Sequence, residues 1–377
     1  MKPTIHLALT HDWELRGDGS GDIEEIQFAP MRRLLAIYGK AGARTTILPD
    51  VMQQTTFRTF EGEHPELKTH ADAWDAQARE AYRQGHDIQL HLHSQWSDAA
   101  YENGKWDLRG DWSLLSYERD TAKKMILDCK SYLENVLRFV NPQYRCLAFR
   151  ASALALAPSA HLLSTLAALG IEMDVSMAGG VYLNNDTLQI DYRSCEETFL
   201  PYYPRIDDAR RISNQQEPIV CVPLNHFYGS RRLVTKQNLA LAKARFSRSQ
   251  KAAVRIRSGP ARLDSGSAGL ARVYEKLIAP AIKRKHFVSD TGRLNYPLMR
   301  EMLVSIRQRA AESGLSKVPV VLTNHPKDIR DWSGLERFVG EVADTADLKF
   351  MTLTQIAEKI RSGEFEVRVD ASATAAQ

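Results

Sequence analysis

Gly85-His86-Asp87-Ile88-Gln89-Leu90-His91-Leu92-His93-Ser94-Gln95-Trp96 is the stretch whose reading decides the fold. Gly85 reads as a helix stop, residues 87–93 as a short buried strand, and the stretch ends in a polar tip that carries two imidazoles. Side chains two apart on a strand share a face, so the spacing predicts that His91 and His93 project together. Neutral imidazole is the commonest protein metal ligand. Two imidazoles at one strand end form half of a metal site, and the other half has to come from elsewhere in the chain.

Working outward, residues 5–10 predict a first buried strand that runs into Thr10-His11-Asp12-Trp13-Glu14. Residues 24–41 carry Ile26, Met31, Leu34, Leu35 and Tyr38 at helical spacing. Residues 45–49 predict a second strand and residues 68–84 a second helix, ended by Gly85. The order strand, helix, strand, helix, strand argues for parallel α/β architecture. Residues 97–113 read as a long loop rich in Trp and Gly, followed by a helix over 114–139 and a strand over 146–150. Beyond them lie a helix over 158–169 and strands over 171–176, 219–224 and 318–323. A helix over 333–345, a short strand near 350–353 and a helix over 355–361 capped by Thr354 complete the pattern. Residues 369–377, poor in large apolar side chains, predict a disordered tail.

The 377 residues are 44% hydrophobic and 25% charged with a net charge of +4, an ordinary soluble composition that points away from nucleic acid. Cys129, Cys146, Cys195 and Cys221 are widely spaced and form neither a C-x-x-C pair nor a disulfide framework, as expected of a reducing compartment. The amino-terminal apolar run is too short for a signal-peptide core, and no run approaches a bilayer span, so the expectation is a cytoplasmic protein that can touch a membrane surface. One segment stands apart. Residues 231–285 hold fifteen Lys or Arg against Asp264 and Glu275 alone. They predict a basic helical insertion on the barrel rim, either a solvated excursion or a seat for an anionic partner.

Working residues of parallel α/β folds collect at the carboxyl ends of strands. The predicted exits present Asp12 and Glu14, His91 and His93, Arg150, Asp174, His226 and His325. Two carboxylates at one exit can divide roles, one holding a divalent ion while the other takes a proton from water. Carboxylate with imidazoles suits zinc or another first-row metal with open positions. Each residue alone has an ordinary structural reading; their joint placement is what points to chemistry.

Four ordered motifs, Leu9-Thr10-His11-Asp12-Trp13-Glu14, Gly85-His86-Asp87-Ile88-Gln89-Leu90-His91, Phe149-Arg150-Ala151 and Leu322-Thr323-Asn324-His325-Pro326, resemble those of the polysaccharide deacetylases, the NodB-like carbohydrate esterases. The resemblance spans most of the chain outside 231–285. It implies a distorted (β/α)7 barrel over residues 1–368 with a helical insertion, a divalent metal, usually zinc, and removal of an acyl group from a sugar. It also implies Asp12 as catalytic base, Arg150 as the group orienting it and His325 as the acid that protonates the leaving group. Glu14 and His91 fall on metal ligands. The family's second metal histidine lies four positions after the first, where this chain has Gln95. The implied set is therefore Glu14, His91 and His93, with the Gln95 carbonyl oxygen or a degraded site as alternatives. Trp13 and Trp96 are candidate sugar-stacking faces. The expected substrate is a saccharide or sugar precursor, an acetyl or formyl group its acyl portion, and the basic block a contact for phosphate or an anionic membrane face. Two other readings are an impaired carbohydrate-binding protein on the same barrel and a hydrolase of a non-sugar C–N amide bond.

Overall fold

The computed structural model describes residues 2–249 and 285–371. Its central strands in chain order are β1 (Thr4–Trp13), β2 (Thr46–Pro49), β3 (Asp87–Ile88), β4 (Leu90–Leu92) and β5 (Ala148–Ala151). They continue as β6 (Met173–Asp174), β7 (Val220–Cys221), β8 (Lys317–Leu322) and β9 (Leu348–Phe350). β1 is buried along nearly its whole length, as a parallel strand covered on both faces must be. Its first half runs parallel to β8, from Thr4 beside Lys317 to Leu9 beside Leu322. On the opposite edge β9 pairs with Ile5 to Leu7, and β2 takes over from Thr10 to Trp13. β9 thus wedges beneath β2 and distorts the wall there.

The remaining wall runs from β2 to β3 and, after a change of partner, from β4 through β5 and β6 to β7, all parallel. Leu224, just past β7, forms a parallel bridge with Val321 of β8, and Asn225 N–H donates to the Val321 carbonyl at 2.9 Å. With β3 and β4 as one interrupted strand, seven positions close on themselves, so the architecture is the distorted (β/α)7 barrel that the motifs imply.

The interruption at β3–β4 is held by one side chain. Gln89 Oε1 accepts from Leu147 N–H at 2.8 Å and Ala148 N–H at 2.9 Å, while its Nε2 donates to Asp87 at 2.8 Å and to Thr354 at 2.9 Å. A buried amide therefore completes hydrogen bonding where the main chain changes partner.

Helices cover the outside: α1 (Ala29–Lys40), α2 (Val51–Phe60), α3 (Pro65–Arg83), α4 (Arg119–Arg138) and α5 (Leu162–Ala168). α6 (Arg231–Ser249), α7 (Tyr296–Glu312), α8 (Trp332–Asp344) and α9 (Leu353–Arg361) follow. α2 was not expected. Its inward face carries Gln53, Gln54 and Thr56 beside Phe57, so the buried side reads as polar and hides the helical period. Residues 97–113 are not wholly loop: Ala99–Glu102 and Lys105–Leu108 pair as a hairpin around Asn103 and Gly104, both with positive φ, an Asn-Gly turn signal legible in the sequence. The cap of α9 is Thr352 in a capping box with Gln355, not Thr354, whose hydroxyl instead donates to Asp87.

Of the basic block, α6 and Lys285 are described, and the rest of the expected insertion, 250–284, lies outside the described residues. So do 372–377 of the expected tail; Asp370 N–H, by contrast, donates to the Ser213 carbonyl at 2.8 Å. The four cysteines are free, and among the described residues no helix is long and apolar enough to cross a membrane.

The bridging role of Gln89 generates a test. Gln89→Leu removes the acceptor for two buried N–H groups and should lower unfolding free energy by about 2–5 kcal/mol in urea denaturation. A loss below about 1 kcal/mol would remove Gln89 from this role.

Candidate metal and acid–base site

Asp12, Trp13 and Glu14 leave β1 on alternating sides. Asp12 and Glu14 turn into the barrel mouth, and Trp13 turns outward to stack on Trp74 of α3, with ring centroids 5.2 Å apart. Asp12 meets the guanidinium of Arg150 in a short, buried ion pair. Arg150 is fully buried; it also donates to Thr10 Oγ1 at 2.7 Å, the Val175 carbonyl at 3.2 Å and Thr323 Oγ1 at 3.3 Å. That fan ties β5 to β1, β8 and the residue after β6, and holds the Asp12 carboxylate at a set position. Across the mouth, His325 Nε2 lies 3.4 Å from the other Asp12 oxygen and its Nδ1 lies 3.2 Å from Asp290 Oδ2. Burial alone would depress the His325 imidazole. The bond to Asp290 and the charges of Asp12, Asp290 and Glu14 carry it above its ordinary value instead.

β4 delivers the two histidines. His91 Nδ1 lies 2.9 Å from the Arg150 carbonyl, an oxygen that can only accept, so Nδ1 carries the proton and Nε2 presents a lone pair. That lone pair faces Glu14 Oε2 at 3.0 Å. His93 Nδ1 lies 2.9 Å from Asp50 Oδ2, and its Nε2 is 3.3 Å from the same Glu14 oxygen. Asp50 is fixed in turn, since it accepts from His93 N–H at 3.0 Å and caps α2 through Gln53 N–H. A carboxylate behind an imidazole is the usual support of a metal-ligating histidine.

One carboxylate oxygen thus faces two imidazole nitrogens with no apolar spacer, and the three ligand atoms lie within 4.8 Å of one another. With both imidazoles neutral these three atoms are all acceptors, an arrangement that a shared cation satisfies. The donor set, two imidazoles and a carboxylate, fits a divalent first-row ion with open positions. Burial would raise the Glu14 carboxyl; His93, Lys327, His91 and His325 outweigh it and hold it well below the usual range. Burial likewise opposes the charged form of His93, but Glu14 and Asp50 raise it above the ordinary imidazole value.

The cluster opens into a cleft of about 690 Å³, lined further by Arg16, Trp112, His286, Phe287, Arg293 and Arg330. The Trp112 ring lies close over Gly17, where a Cβ would sit 2.3 Å from it. The indole packs against that loop at the edge of the cleft.

Six of the residues singled out from sequence converge: Asp12, Glu14, His91, His93, Arg150 and His325. Others do not. Asp174 is buried in the barrel wall, accepting from Ser176 N–H at 2.8 Å and Ser176 Oγ at 2.7 Å, and burial pushes its carboxyl up to about 7. His226 belongs to the rim hairpin His226–Gly229/Lys285–Val288, its Nδ1 3.0 Å from His286 Nε2. Gln95 donates to the Gly17 carbonyl at 3.3 Å and is absent from the cleft lining. Trp13 and Trp96 are core residues, Trp96 packing edge-on to Phe57 and Trp106, so neither offers a face to a sugar. Three residues escaped the sequence reading. Asp50 follows β2 directly and carried the strand-exit signal; Asp290 lies past the antiparallel rim strand Lys285–Val288, where that signal of parallel strands does not apply. Lys327, two residues past His325, carried none.

No family model and no curated protein matches the chain. Among solved structures, one described as a "putative polysaccharide deacetylase" from Mycobacterium smegmatis aligns over 98% of this chain and 94% of its own, with TM-score 0.50 and 16% identity. A "probable polysaccharide deacetylase" from Pseudomonas aeruginosa PAO1 aligns over 96% and 93%, with TM-score 0.48 and 10% identity. An allantoinase aligns over 96% and 91%, with TM-score 0.47 and 10% identity.

The buried Asp174 gives a pH signature. Its carboxyl ionises near 3.8 in an unfolded chain and at about 7 in the barrel, so between those values the folded state keeps a proton that the unfolded state has lost. Stability therefore falls as pH rises through that window and levels off above it. Asp174→Asn should gain on the wild type by about 1–4 kcal/mol between pH 4 and pH 8 in denaturant titrations. Parallel pH profiles for the two proteins would refute the assignment.

Proposed function

We propose that this chain, which has the distorted barrel fold of the polysaccharide deacetylases, is a metal-dependent hydrolase that removes an acetyl or formyl group from a sugar or saccharide precursor. The observation that carries the reading is the meeting, in one cleft, of the Glu14–His91–His93 cluster with the Asp12–Arg150 and His325–Asp290 pairs. A zinc ion held by Glu14, His91 and His93 would polarise the acyl oxygen and lower the pKa of the attacking water.

Asp12 is the base in this reading. Arg150 pins one of its oxygens, and the other faces the cleft, where it takes the water's proton as the acyl carbon is attacked. His325 is the acid. Asp290 and Asp12 favour its protonated form, so it has a proton to give to the departing sugar amine or alkoxide. The Asp50 carboxylate and the Arg150 carbonyl set the proton of each ligand histidine on Nδ1 and turn both Nε2 atoms inward. The alternative of a degraded site rests on Gln95; the inward Nε2 of His93 supports the working-site reading. Residues 1–368 form the catalytic unit in this proposal. The described parts of its basic block line the cleft at Gln237, Asn238 and Lys285, and we assign the block to a phosphate of the precursor or to an anionic membrane face.

Purified protein should take up one zinc per chain and release acetate or formate from N-acyl amino sugars. Asp12→Asn and His325→Ala should each lower kcat/KM by about 10²–10⁴ while circular dichroism stays unchanged. Asp50→Ala should weaken zinc binding about 10–100-fold, read by competition with a chromophoric chelator. Failure of the protein to bind stoichiometric metal would end the metal-dependent reading, and absence of acyl release from every sugar tested would end the deacylase one.

A further inference from the structure

Lys327 occupies the 3-10 turn Pro326–Asp328 that follows β8. β8 and β1 are parallel neighbours, and Asp12 N–H donates to the Asn324 carbonyl at 2.9 Å, so the segment after β8 lies over the exit of β1. The lysine side chain reaches back into the cluster. Its ammonium is 2.6 Å from Glu14 Oε1 and 2.5 Å from the Leu15 carbonyl, and both side chains are more than nine-tenths buried.

The two oxygens of Glu14 are thereby divided. Oε2 faces His91 and His93, and Oε1 is occupied by Lys327. A carboxylate held this way has one oxygen left for a cation. The two imidazoles are neutral ligands, so Glu14 carries the only formal negative charge among the three, and an adjacent ammonium offsets it through a medium of low dielectric. An ammonium against a ligand carboxylate weakens that carboxylate's hold on a divalent ion and leaves the ion a stronger electrophile. Building on the metal-site reading, we propose that Lys327 is a positioning residue that holds Glu14 as a one-oxygen ligand and offsets its charge, keeping the site's affinity for a divalent cation moderate. In the metal-free protein the same ammonium balances the buried carboxylate.

The test is a zinc titration of the metal-free full chain against a chromophoric chelator, for wild type, Lys327→Met and Lys327→Arg. The Met variant, similar in length and uncharged, should bind zinc about tenfold more tightly, and the Arg variant should stay within about threefold of wild type. Thermal unfolding supplies a second readout. The Met variant should melt below wild type without zinc and match it at saturating zinc, because the ion then supplies the missing charge. If wild type binds zinc and the Met variant binds equally or less tightly, Lys327 has no such role and the metal site stands. If the Met variant does not fold even in zinc, the inference fails as well. If neither protein binds zinc, the metal-site reading and this inference fall together.

Discussion

A guanidinium with no access to water, that of Arg150, is the constraint on which the rest of the mouth depends. A buried cation is tolerated only when its hydrogens find acceptors and its charge finds an anion. Here the acceptors come from Thr10, Thr323 and Val175, and the anion is Asp12. Thr10 and Asp12 belong to β1, while Val175 and Thr323 follow β6 and β8, so satisfying one side chain sets the spacing of three strands. The carbonyl of the same residue orients His91. Base position and metal-ligand tautomer are thus coupled through one residue of β5.

Around that centre the charges are layered. Glu14, His91, His93 and His325 form the inner ring, Asp50, Asp290 and Lys327 the next, and each outer group touches an inner one at 2.6–3.2 Å. Asp50 immediately follows β2, Asp290 lies two residues past the rim strand Lys285–Val288, and Lys327 sits in the 3-10 turn after β8. A site built this way is pre-organised: its side chains are held by partners before any ligand arrives. The surrounding cleft mixes arginines with Trp112, and the described parts of the basic block reach it through α6 and Lys285.

Most of the barrel was legible because buried parallel strands are short apolar runs and the helices between them carry a 3.6-residue stripe. Legibility failed where burial and polarity part company. α2 hides its period because Gln53 and Gln54 face inward, where Gln53 bonds Gln27 at 2.9 Å and Gln54 bonds Asp75 at 2.9 Å. The Asn103-Gly104 hairpin was missed for a different reason: its strands are only half-buried, although the turn signal was plain. Trp13 misled because an exit position says which residues can face the mouth, but strand alternation sends every second one away; Trp96 lies in the 3-10 turn Ser94–Ser97, with its ring packed against Phe57 and Trp106.

By itself the sequence determined the α/β order and the four motifs, and its strand exits, located from apolar runs and turn residues, offered eight residues of which six meet at the mouth. The tertiary structure decided the rest. Whether His93 or Gln95 faces the cluster depends on where the chain turns after β4, and Asp50, from another strand, is what aims His93 inward. That Asp290 stands behind His325 and that Lys327 closes on Glu14 are facts of contact between segments 35 and 313 residues apart in sequence. Local pattern has no means of recording such pairs, because they arise only when closure of the barrel brings the strand ends together.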